Sequence, residues 1–387
     1  MMEKSRNRAV GRQVRKMIAA AMAAMLVFTS ANVADVNAEE TVLAVSENAV
    51  TGETGAGVVE AKKTGEPEVE NGGAENREAE NIDLDAETAD PDTETADGTH
   101  TYKNGFCTDS GCDAYEPAVL TTGKYDIDAN GEITNSDEAY EIGNAGQLYW
   151  FAGLVNGTLT DGTAQNLKAN AVLTADITVN EDLLASINTD KDGNGSSFKA
   201  WRPMGMADEK GYLTGWYTGI FDGNGHSISG LYVNRDEAAD DVHTWFKSCI
   251  GLFGYYSGVT RNLSVLDSYM RGKDCIGGIC GYNDGGTIQN CYSAATVCGD
   301  SYIGGICGRS EGDSIIENCY NTGYVYGATR SIGGICGDNS ATLQGCYNVG
   351  NVNGKFYVGG IVGESSGSGN TIWIKDCYNR GNVIGDT

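Results

Sequence analysis

The sequence predicts an all-β protein folded as a parallel β-helix, a β-solenoid with coils of about 27–32 residues that begins with a capping helix. Three observations support this prediction. A corner phrase returns six times, a second glycine-rich phrase keeps the same spacing, and glycine is abundant (55 of 387 residues) whereas proline is scarce (4). Self-similarity at a fixed period of about 20–50 residues is typical of solenoids, and so little proline argues against a disordered or collagen-like chain.

The corner phrase sets a residue that tolerates a left-handed backbone between two short strand-like runs. In its six copies this residue is Gly230, Asn262, Asn290, Asn318, Gly345 and Asp376. Glycine lacks a Cβ, and the short side chains of Asn and Asp bond locally, so these residue types adopt positive φ at least cost. The column therefore predicts a tight corner between two strands, and we expect Asp176 to extend it toward the N-terminus.

A second phrase, Gly-Ile-Cys-Gly or a close variant, keeps the same register. It occupies residues 251–254, 278–281, 305–308, 334–337 and 360–363, and Val-x-Gly triplets that we interpret as turns close the units. The apolar runs between these glycines have four to six residues, which suits strands and is too short for helices. At about 3.3 Å per residue we expect two or three strands in each coil and a spacing of about 4.8 Å between coils.

The N-terminus has the features of a secretory signal peptide. Residues 1–16 are basic, residues 17–28 form an apolar run, and small residues end at Ala38, after which we expect cleavage. The apolar run of 12 residues is too short to span a bilayer. We therefore expect residues 1–38 to be removed, no transmembrane segment to remain, and the protein to be secreted, with attachment to the cell surface left open.

Residues 39–99 contain 18 Asp and Glu against three basic residues and lack aromatic residues. Such a segment buries too little apolar surface to fold, so we predict a disordered acidic spacer; a stalk is favoured over an interaction tail.

We assign residues 100–140 to a small Cys- and Asp-rich module and residues 141–387 to the solenoid. The chain ends without a C-terminal cap, so we expect a truncated solenoid. The net charge of −27 excludes a nucleic-acid-binding face.

A capping helix is predicted just before the coils. Asn144 is a suitable N-cap, with Gln147 three residues later, and apolar residues follow at helical spacing. Asn156-Gly157 then ends the helix with a left-handed turn. An amphipathic helix here would cover the core and the free strand edges of the first coil.

The repeated pattern Gly-Gly-Ile-Cys/Val-Gly followed by Ile-x-Asn-Cys-Tyr resembles the GLUG motif of bacterial surface proteins. The resemblance covers about residues 141–387 and includes the phrases at 143–151 and 219–231 that precede the clear repeats. In that family the repeats occur in exported proteins of Gram-positive bacteria, among them adhesins and the non-catalytic part of IgA-cleaving zinc metalloproteases. The resemblance implies an exported role and transfers no activity.

Two functions remain open at this stage. The favoured one is an adhesin-like binding or scaffold module whose partner is a host or microbial surface glycan or protein. The alternative is the N-terminal, non-catalytic part of a secreted enzyme, a zinc metallopeptidase or a polysaccharide-active enzyme, whose catalytic domain lies outside this chain.

No catalytic constellation is expected in this chain. Its three histidines do not occur in the His-Glu-x-x-His pattern of a zinc protease. Residues 222–226 and Asp240-Asp241 superficially resemble the carboxylate sites of glycan-active β-helices, but Asp-Gly-Asn-Gly-His is favoured as a turn between two strands.

The chain has twelve cysteines. Those in the repeats occupy columns that elsewhere hold Leu, Phe or Val, which favours buried thiols that pack as small hydrophobes over stacked disulfides. Cys107 and Cys112 lie outside the repeats and are the disulfide candidates. A zinc site that includes His100 is a minor alternative, because a fourth ligand is missing.

A calcium loop is the sharpest metal hypothesis, and no other cofactor is expected. The residues that match ligand positions are Asp126, Asp128, Asn130, Glu132 and Asp137. An Asp at the twelfth position, where Glu is usual, predicts weak binding. A β-hairpin that turns at residues 130–131 between short strands at 125–127 and 132–133 explains the same residues about as well.

One tyrosine follows the cysteine of each clear corner phrase. These residues are Tyr292, Tyr320, Tyr347 and Tyr378. Strand alternation points them outward, where they would stack from coil to coil. A structural ladder is favoured, and binding of a sugar on the ring faces or of a protein partner is the functional alternative.

Overall fold

The structure is a computed structural model that describes residues 100–129, 132–134, 136–187, 197–205, 215–235, 248–366 and 372–385. The predicted signal peptide (1–38) and acidic spacer (39–99) lie outside the described residues. The described residues belong to one structural unit, Thr88–Thr387.

Parallel strands stack into four sheets that form the faces of a β-solenoid with about 28 residues per coil, which confirms the predicted fold class. Sheet 1 consists of Val119–Thr122, Glu138–Ile142, Ala171–Leu173, Ile220–Asp222, Val259–Arg261, Thr287–Gln289, Ile315–Glu317, Thr342–Gln344 and Trp373–Lys375. Sheet 2 consists of Ile177–Thr178, Ser227–Ser229, Ser264–Leu266, Tyr292–Ser293, Tyr320–Asn321, Tyr347–Asn348 and Tyr378–Asn379.

The other two sheets close each coil. Sheet 3 consists of Tyr232–Asn234, Tyr269–Arg271, Asp274–Gly277, Thr296–Gly304, Val325–Gly333, Val352–Gly359 and Val383–Gly385. Sheet 4 consists of Phe253–Tyr256, Cys280–Asp284, Cys307–Glu311, Cys336–Asn339 and Val362–Glu364. A coil thus has four faces where two or three strands were expected, because most corners, of only two or three residues, leave room for more strands.

Equivalent residues pair from coil to coil, so the core consists of columns. Thr260 pairs with Ile288, which is followed in the same column by Ile316, Leu343 and Ile374. All of them except Ile374, in the last coil, are fully buried. The predicted burial of the repeat cysteines is confirmed except for Cys377, which is only partly buried in the last coil. Cys280, Cys307 and Cys336 stack in sheet 4 as free thiols. Burial raises the pKa of the Cys280 and Cys336 thiols, because a thiolate would lose its hydration there.

The left-handed corner column is confirmed between sheets 1 and 2. The positive φ angles belong to Asn262 (55°), Asn290 (52°), Asn318 (51°), Gly345 (62°) and Asp376 (53°). Gly230 also has a positive φ, but its assignment to this column was wrong. Ser229 pairs with Leu266, so Gly230 lies beside Asp267 at the next corner. Asp176 does not belong to the column either, since it immediately precedes Ile177, which pairs with Ile228 inside sheet 2.

The Val-x-Gly triplets are not turns. They lie inside the long sheet 3 strands, where Val297, Val325 and Val352 pair in register. One extra residue forms a bulge after the triplet in the central strand Val325–Gly333, against both neighbouring strands. A second left-handed column, which the sequence did not predict, also crosses sheet 3. Its members are Cys275 (φ 55°), Tyr302 (60°), Ser331 (60°) and Tyr357 (52°).

The capping helix α1 spans Ala145–Asn156, as predicted, and a short helix α2 spans Leu183–Ile187. The Asn144 side chain accepts a hydrogen bond from the backbone N–H of Gln147 (2.9 Å), and Gly157 ends α1 with a φ of 66°. The helix is not amphipathic in the expected sense, because both its sides are covered. Phe151 packs on the coils through Phe221, while Tyr149 packs outward on Phe106.

The N-terminal segment is continuous with the solenoid. A hairpin of Tyr102–Lys103 and Phe106–Cys107 lies against α1, and an antiparallel pair, Val119–Thr122 and Glu138–Ile142, extends sheet 1. The boundary drawn between residues 140 and 141 falls inside the second strand of that pair, which adds in parallel to Ala171–Leu173. Within the described part of the chain, no helix has the length and hydropathy needed to cross a membrane.

Candidate binding surface

The four predicted tyrosines form a stacked ladder on the outside of sheet 2. The ring centroids of Tyr292 and Tyr320 are 4.2 Å apart, those of Tyr320 and Tyr347 4.8 Å, and those of Tyr347 and Tyr378 5.1 Å. The ring planes differ by only 15°, 5° and 4°. Parallel pairing in register, Tyr292 to Tyr320 to Tyr347 to Tyr378, produces this stacking.

Behind the tyrosines, an asparagine ladder holds the coils together. Asn321 Nδ2 donates to Asn348 Oδ1 (2.8 Å), and Asn348 Nδ2 donates to Asn379 Oδ1 (2.7 Å). Each amide also bonds the backbone two residues later, as in Asn348 with Gly350. This ladder was not predicted, although the repeated Cys-Tyr-Asn triplet was its signal in the sequence. The buried amides fix the register of the tyrosines in front of them.

The tyrosine ladder belongs to a larger surface, which we call the tyrosine face. It comprises the outward residues of the segments 292–298, 320–326, 347–353 and 378–384, which alternate with buried ones except in the last coil. Tyr324 and Tyr326 extend the aromatic area into sheet 3 and are 39% and 43% exposed. On these four segments, all of which the structure describes, Arg380 is the single charged residue at an outward position.

A depression of about 160 Å³ lies at the edge of the tyrosine face, lined by residues that include Tyr326, Asn353, Lys355 and Ile384. Pockets for small molecules are usually about 300–1,000 Å³. The shape of this surface therefore suits a flat contact.

The stacking decides which parts of the tyrosines a partner can reach. Each ring covers a face of its neighbour, so ring edges and hydroxyl groups are what the ladder presents, apart from the end ring, Tyr378, which is 47% exposed. The Tyr292 hydroxyl lies 2.6 Å from Thr322 Oγ1. Burial raises the pKa of Tyr292 and Tyr378, so their hydroxyls stay protonated and neutral at physiological pH.

Two segments of the chain match a known repeat. The family model of the GLUG motif matches residues 274–297 and 299–326. The chain carries GLUG repeats. A solved structure from Bacteroides ovatus, a putative immunoglobulin A1 protease, is similar over 63% of this chain and 76% of that chain, with 21% sequence identity and a TM-score of 0.45. No curated protein matches the chain.

A matched GLUG repeat is close to one coil. The segment 274–297 starts in sheet 3, crosses sheets 4, 1 and 2, and returns to sheet 3. The corner Asn290, the buried Cys291 and the outward Tyr292 all lie in this repeat. The tyrosine ladder is therefore a direct product of the GLUG periodicity.

The structure does not draw the predicted calcium ligands together. Asp137 Oδ2 accepts hydrogen bonds from the backbone N–H (2.6 Å) and hydroxyl (3.0 Å) of Thr134. Among the described residues, no three of the acids at 126, 128, 132 and 137 converge within 4.8 Å, and Asn130 lies outside the described residues. Calcium binding by this loop stays a prediction.

The predicted hairpin at 125–127 and 132–133 was wrong in its strands. The hairpin of this region pairs Val119–Thr122 with Glu138–Ile142, and the described residues between them (123–129, 132–134 and 136–137) form no strand. Ile127 lies outside the strands, and its side chain is buried against Ala139 and Val172.

The disulfide candidates Cys107 and Cys112 are free thiols in the structure, and both sulfurs face His100. Partial burial, and then a hydrogen bond with Cys112, raise the pKa of the Cys107 thiol to about 11. Asp109 joins the same group, with its carboxylate 3.5 Å from Cys107 Sγ. The structure thus brings together His100, Cys107 and Cys112, the residues of the minor zinc alternative, whereas the position of Asp109 beside Cys107 was not predicted.

Residues 222–226 form the turn that the sequence favours. Asn224 (φ 50°) and Gly225 (φ 79°) are left-handed, and Asp222 Oδ1 accepts from the N–H of Asn224 (2.8 Å). Asp222 also pairs with Arg261 Nε at 2.7 Å, whereas His226 Nδ1 lies 3.3 Å from Asp176. Asp222 and His226 thus have separate partners, and Asp240-Asp241 lies outside the described residues.

Proposed function

We propose that this GLUG β-solenoid is an exported, non-enzymatic binding or scaffold module of the adhesin type, and that the tyrosine face is its contact surface. The observation that carries the proposal is the composition of that face. It presents tyrosines and one charge, in a protein in which 20% of residues are charged and the net charge is −27. The centres of protein-binding surfaces are depleted of charged residues and enriched in tyrosine.

The geometry favours a surface protein over a glycan as the partner. Sugars stack on exposed aromatic faces, and here most ring faces are covered by the next ring. Ring edges, neutral hydroxyls and the exposed Tyr324 and Tyr326 suit the flat, desolvated contacts of a protein interface. Because the face has almost no charge, we expect binding that depends little on salt.

The test is binding of the full chain to panels of immobilised host and microbial surface proteins and glycans. Tyr324→Asp and Tyr326→Asp each place a charge in the face, and we expect a loss of binding of about 30-fold, corresponding to about 2 kcal/mol. Tyr357→Asn is the matched control, since Tyr357 is 61% exposed on another part of sheet 3 and Asn tolerates its φ of 52°.

Equal binding by wild type and both Asp variants would reject the tyrosine face as the contact surface. Binding to glycans alone would replace the protein partner by a sugar. Export is checked on the same preparation, because the secreted chain is expected to begin at Glu39 after signal cleavage.

A further inference from the structure

Three side chains with metal-binding chemistry converge beside the first hairpin, and the carboxylate of Asp109 lies next to two of them. His100 Nδ1 lies 3.5 Å from Cys107 Sγ and 3.4 Å from Cys112 Sγ. Asp109 Oδ2 lies 3.5 Å from Cys107 Sγ and 3.8 Å from His100 Nδ1. The ligand atoms of His100, Cys107 and Cys112 all lie within 4.8 Å of one another, and Asp109 Oδ2 lies beside two of the three.

The two sulfur–nitrogen distances match the edges of a tetrahedral zinc site. Zinc–sulfur bonds of about 2.3 Å and zinc–nitrogen bonds of about 2.0–2.1 Å at tetrahedral angles put sulfur and nitrogen about 3.5 Å apart. Hydrogen bonds account for part of the arrangement, since the Cys107 thiol donates to Asp109 Oδ2. A single imidazole nitrogen carries either one lone pair or one hydrogen, so it cannot bond fully to both sulfurs of Cys107 and Cys112.

The local chain fold sets the ligands in place. A two-residue turn at 104–105, with both φ angles positive, reverses the chain so that Cys107 pairs with Tyr102. The N–H of Cys112 then donates to the carbonyl oxygen of Asp109 (3.0 Å), which folds the second cysteine back toward the first. The N–H of Ala114 points at Cys112 Sγ (3.4 Å), a contact of the kind that orients a thiolate ligand.

We propose that His100, Cys107, Asp109 and Cys112 bind one zinc ion. Asp109 is the fourth ligand that the sequence analysis lacked. Two thiolates, an imidazole and a carboxylate form a donor set that zinc accepts. The half-exposed side chains of His100 and Asp109 leave the site open to solvent for entry of the ion.

The zinc ion would fasten the hairpin to the solenoid cap. The turn of the hairpin lies on the first residues of α1, where the N–H of Gly146 donates to the carbonyl oxygen of Asn104 (2.9 Å). The N–H of Ala145 donates to Asn104 Oδ1 (3.3 Å). Both are N–H groups of the first helical turn, which have no partner within the helix. The ion would therefore stabilise the hairpin whose Asn104 accepts hydrogen bonds from these two N–H groups.

The experiment uses the full exported chain, purified without added reductant. Elemental analysis is expected to find one zinc per chain, and replacement by Co²⁺ should give thiolate charge-transfer absorption. Cys112→Ser and His100→Asn should lose the ion. Asp109→Asn should weaken zinc affinity by at least about 10-fold, since even groups that only support ligands contribute about 10- to 100-fold. Cys298→Ser, at a half-buried cysteine in sheet 3, is the control and should keep the ion.

A Cys107–Cys112 disulfide in the purified protein, detected by mass spectrometry, would overturn the proposal. Zinc retained by Cys112→Ser and His100→Asn would do the same, because the ion would then lie elsewhere. Unchanged affinity in Asp109→Asn would overturn the assignment of the fourth ligand. Thermal melting with and without chelator separates loss of the ion from loss of the fold, since the solenoid of Cys112→Ser should still melt cooperatively.

Discussion

Asn318 shows how one residue directs the path of a coil. It stands between the sheet 1 strand that ends at Glu317 and the sheet 2 strand that begins at Tyr320, with a φ of 51°. Its N–H still bonds the next coil, at the carbonyl oxygen of Gln344 (2.9 Å). The corner therefore turns the chain without breaking the ladder of hydrogen bonds between coils.

Substitutions at Asn318 test this corner. Asn318→Gly should be nearly neutral, because glycine adopts positive φ freely. Asn318→Val should lower the free energy of unfolding by about 1–2 kcal/mol or more, since a side chain branched at Cβ clashes with the backbone there. Denaturant unfolding measures both, and Glu317→Val, one residue earlier in a strand, is the control. If Val at 318 costs no more than Val at 317, the corner column is wrong.

The second left-handed column explains why part of the backbone escaped prediction. Asn and Gly predict a left-handed corner because these residue types adopt positive φ readily. Tyr302 (φ 60°) and Ser331 (φ 60°) have no such preference, so the sequence did not predict their conformation. Their conformation is imposed by pairing with the coils on either side, because the bulge lies in one strand whereas the column runs through four. Tertiary context, rather than residue preference, sets the chain at these positions.

At the scale of elements, α1 and the first hairpin approach each other closely at two glycines, Gly146 in the helix and Gly105 in the hairpin turn. A Cβ on Gly146 would lie 1.8 Å from the carbonyl oxygen of Gly105, an approach that no side chain allows. A Cβ on Gly153, in the same helix, would meet the side chain of Leu159 at 2.7 Å. A Cβ on Gly146 would thus clash with backbone atoms, which cannot move easily, whereas a Cβ on Gly153 would clash with the end of a flexible side chain.

Two Gly→Ala substitutions in α1 distinguish the effect of helix propensity on stability from the effect of packing between the helix and the first hairpin. Propensity alone predicts that either change stabilises the helix by about 1 kcal/mol. We expect Gly153→Ala to be close to neutral, because Leu159 can move. Gly146→Ala should instead destabilise the protein and expose residues 100–116 to limited proteolysis, because the hairpin can no longer sit on the helix. Equal protease resistance in the two variants would contradict the close packing of hairpin and helix.

At the scale of the whole molecule, periodicity explains what the sequence could predict. The tyrosine ladder follows from one tyrosine per coil, so the spacing of Tyr292, Tyr320, Tyr347 and Tyr378 was enough to place it. Gly230 was assigned to the wrong corner because residues 228–232 have the same residue pattern as the corner phrase but lie one strand later in their coil. The group around His100 depends on a single hairpin that does not repeat, so no period pointed to it.

The same periodicity makes the coils interchangeable. Each coil contacts its two neighbours through the same columns, and the stability of such stacks is approximately a sum over coils and neighbouring interfaces. Deletion of residues 318–344 joins Glu317 to Gly345 and leaves every sheet in register, with Tyr292 now next to Tyr347. The shortened protein should therefore fold and melt cooperatively, with lower stability, as followed by circular dichroism.

A half-coil deletion is the control for this experiment. Removing residues 318–331 joins a sheet 1 strand directly to the end of a sheet 3 strand at Ile332, so columns of core residues no longer meet. We expect this shorter deletion to abolish cooperative melting, although it removes fewer residues than the full-coil deletion. If both deletions unfold the protein, neighbouring coils are not equivalent. If both fold, the register that brings Ile288, Ile316 and Leu343 into one buried column does not determine the stability of the solenoid.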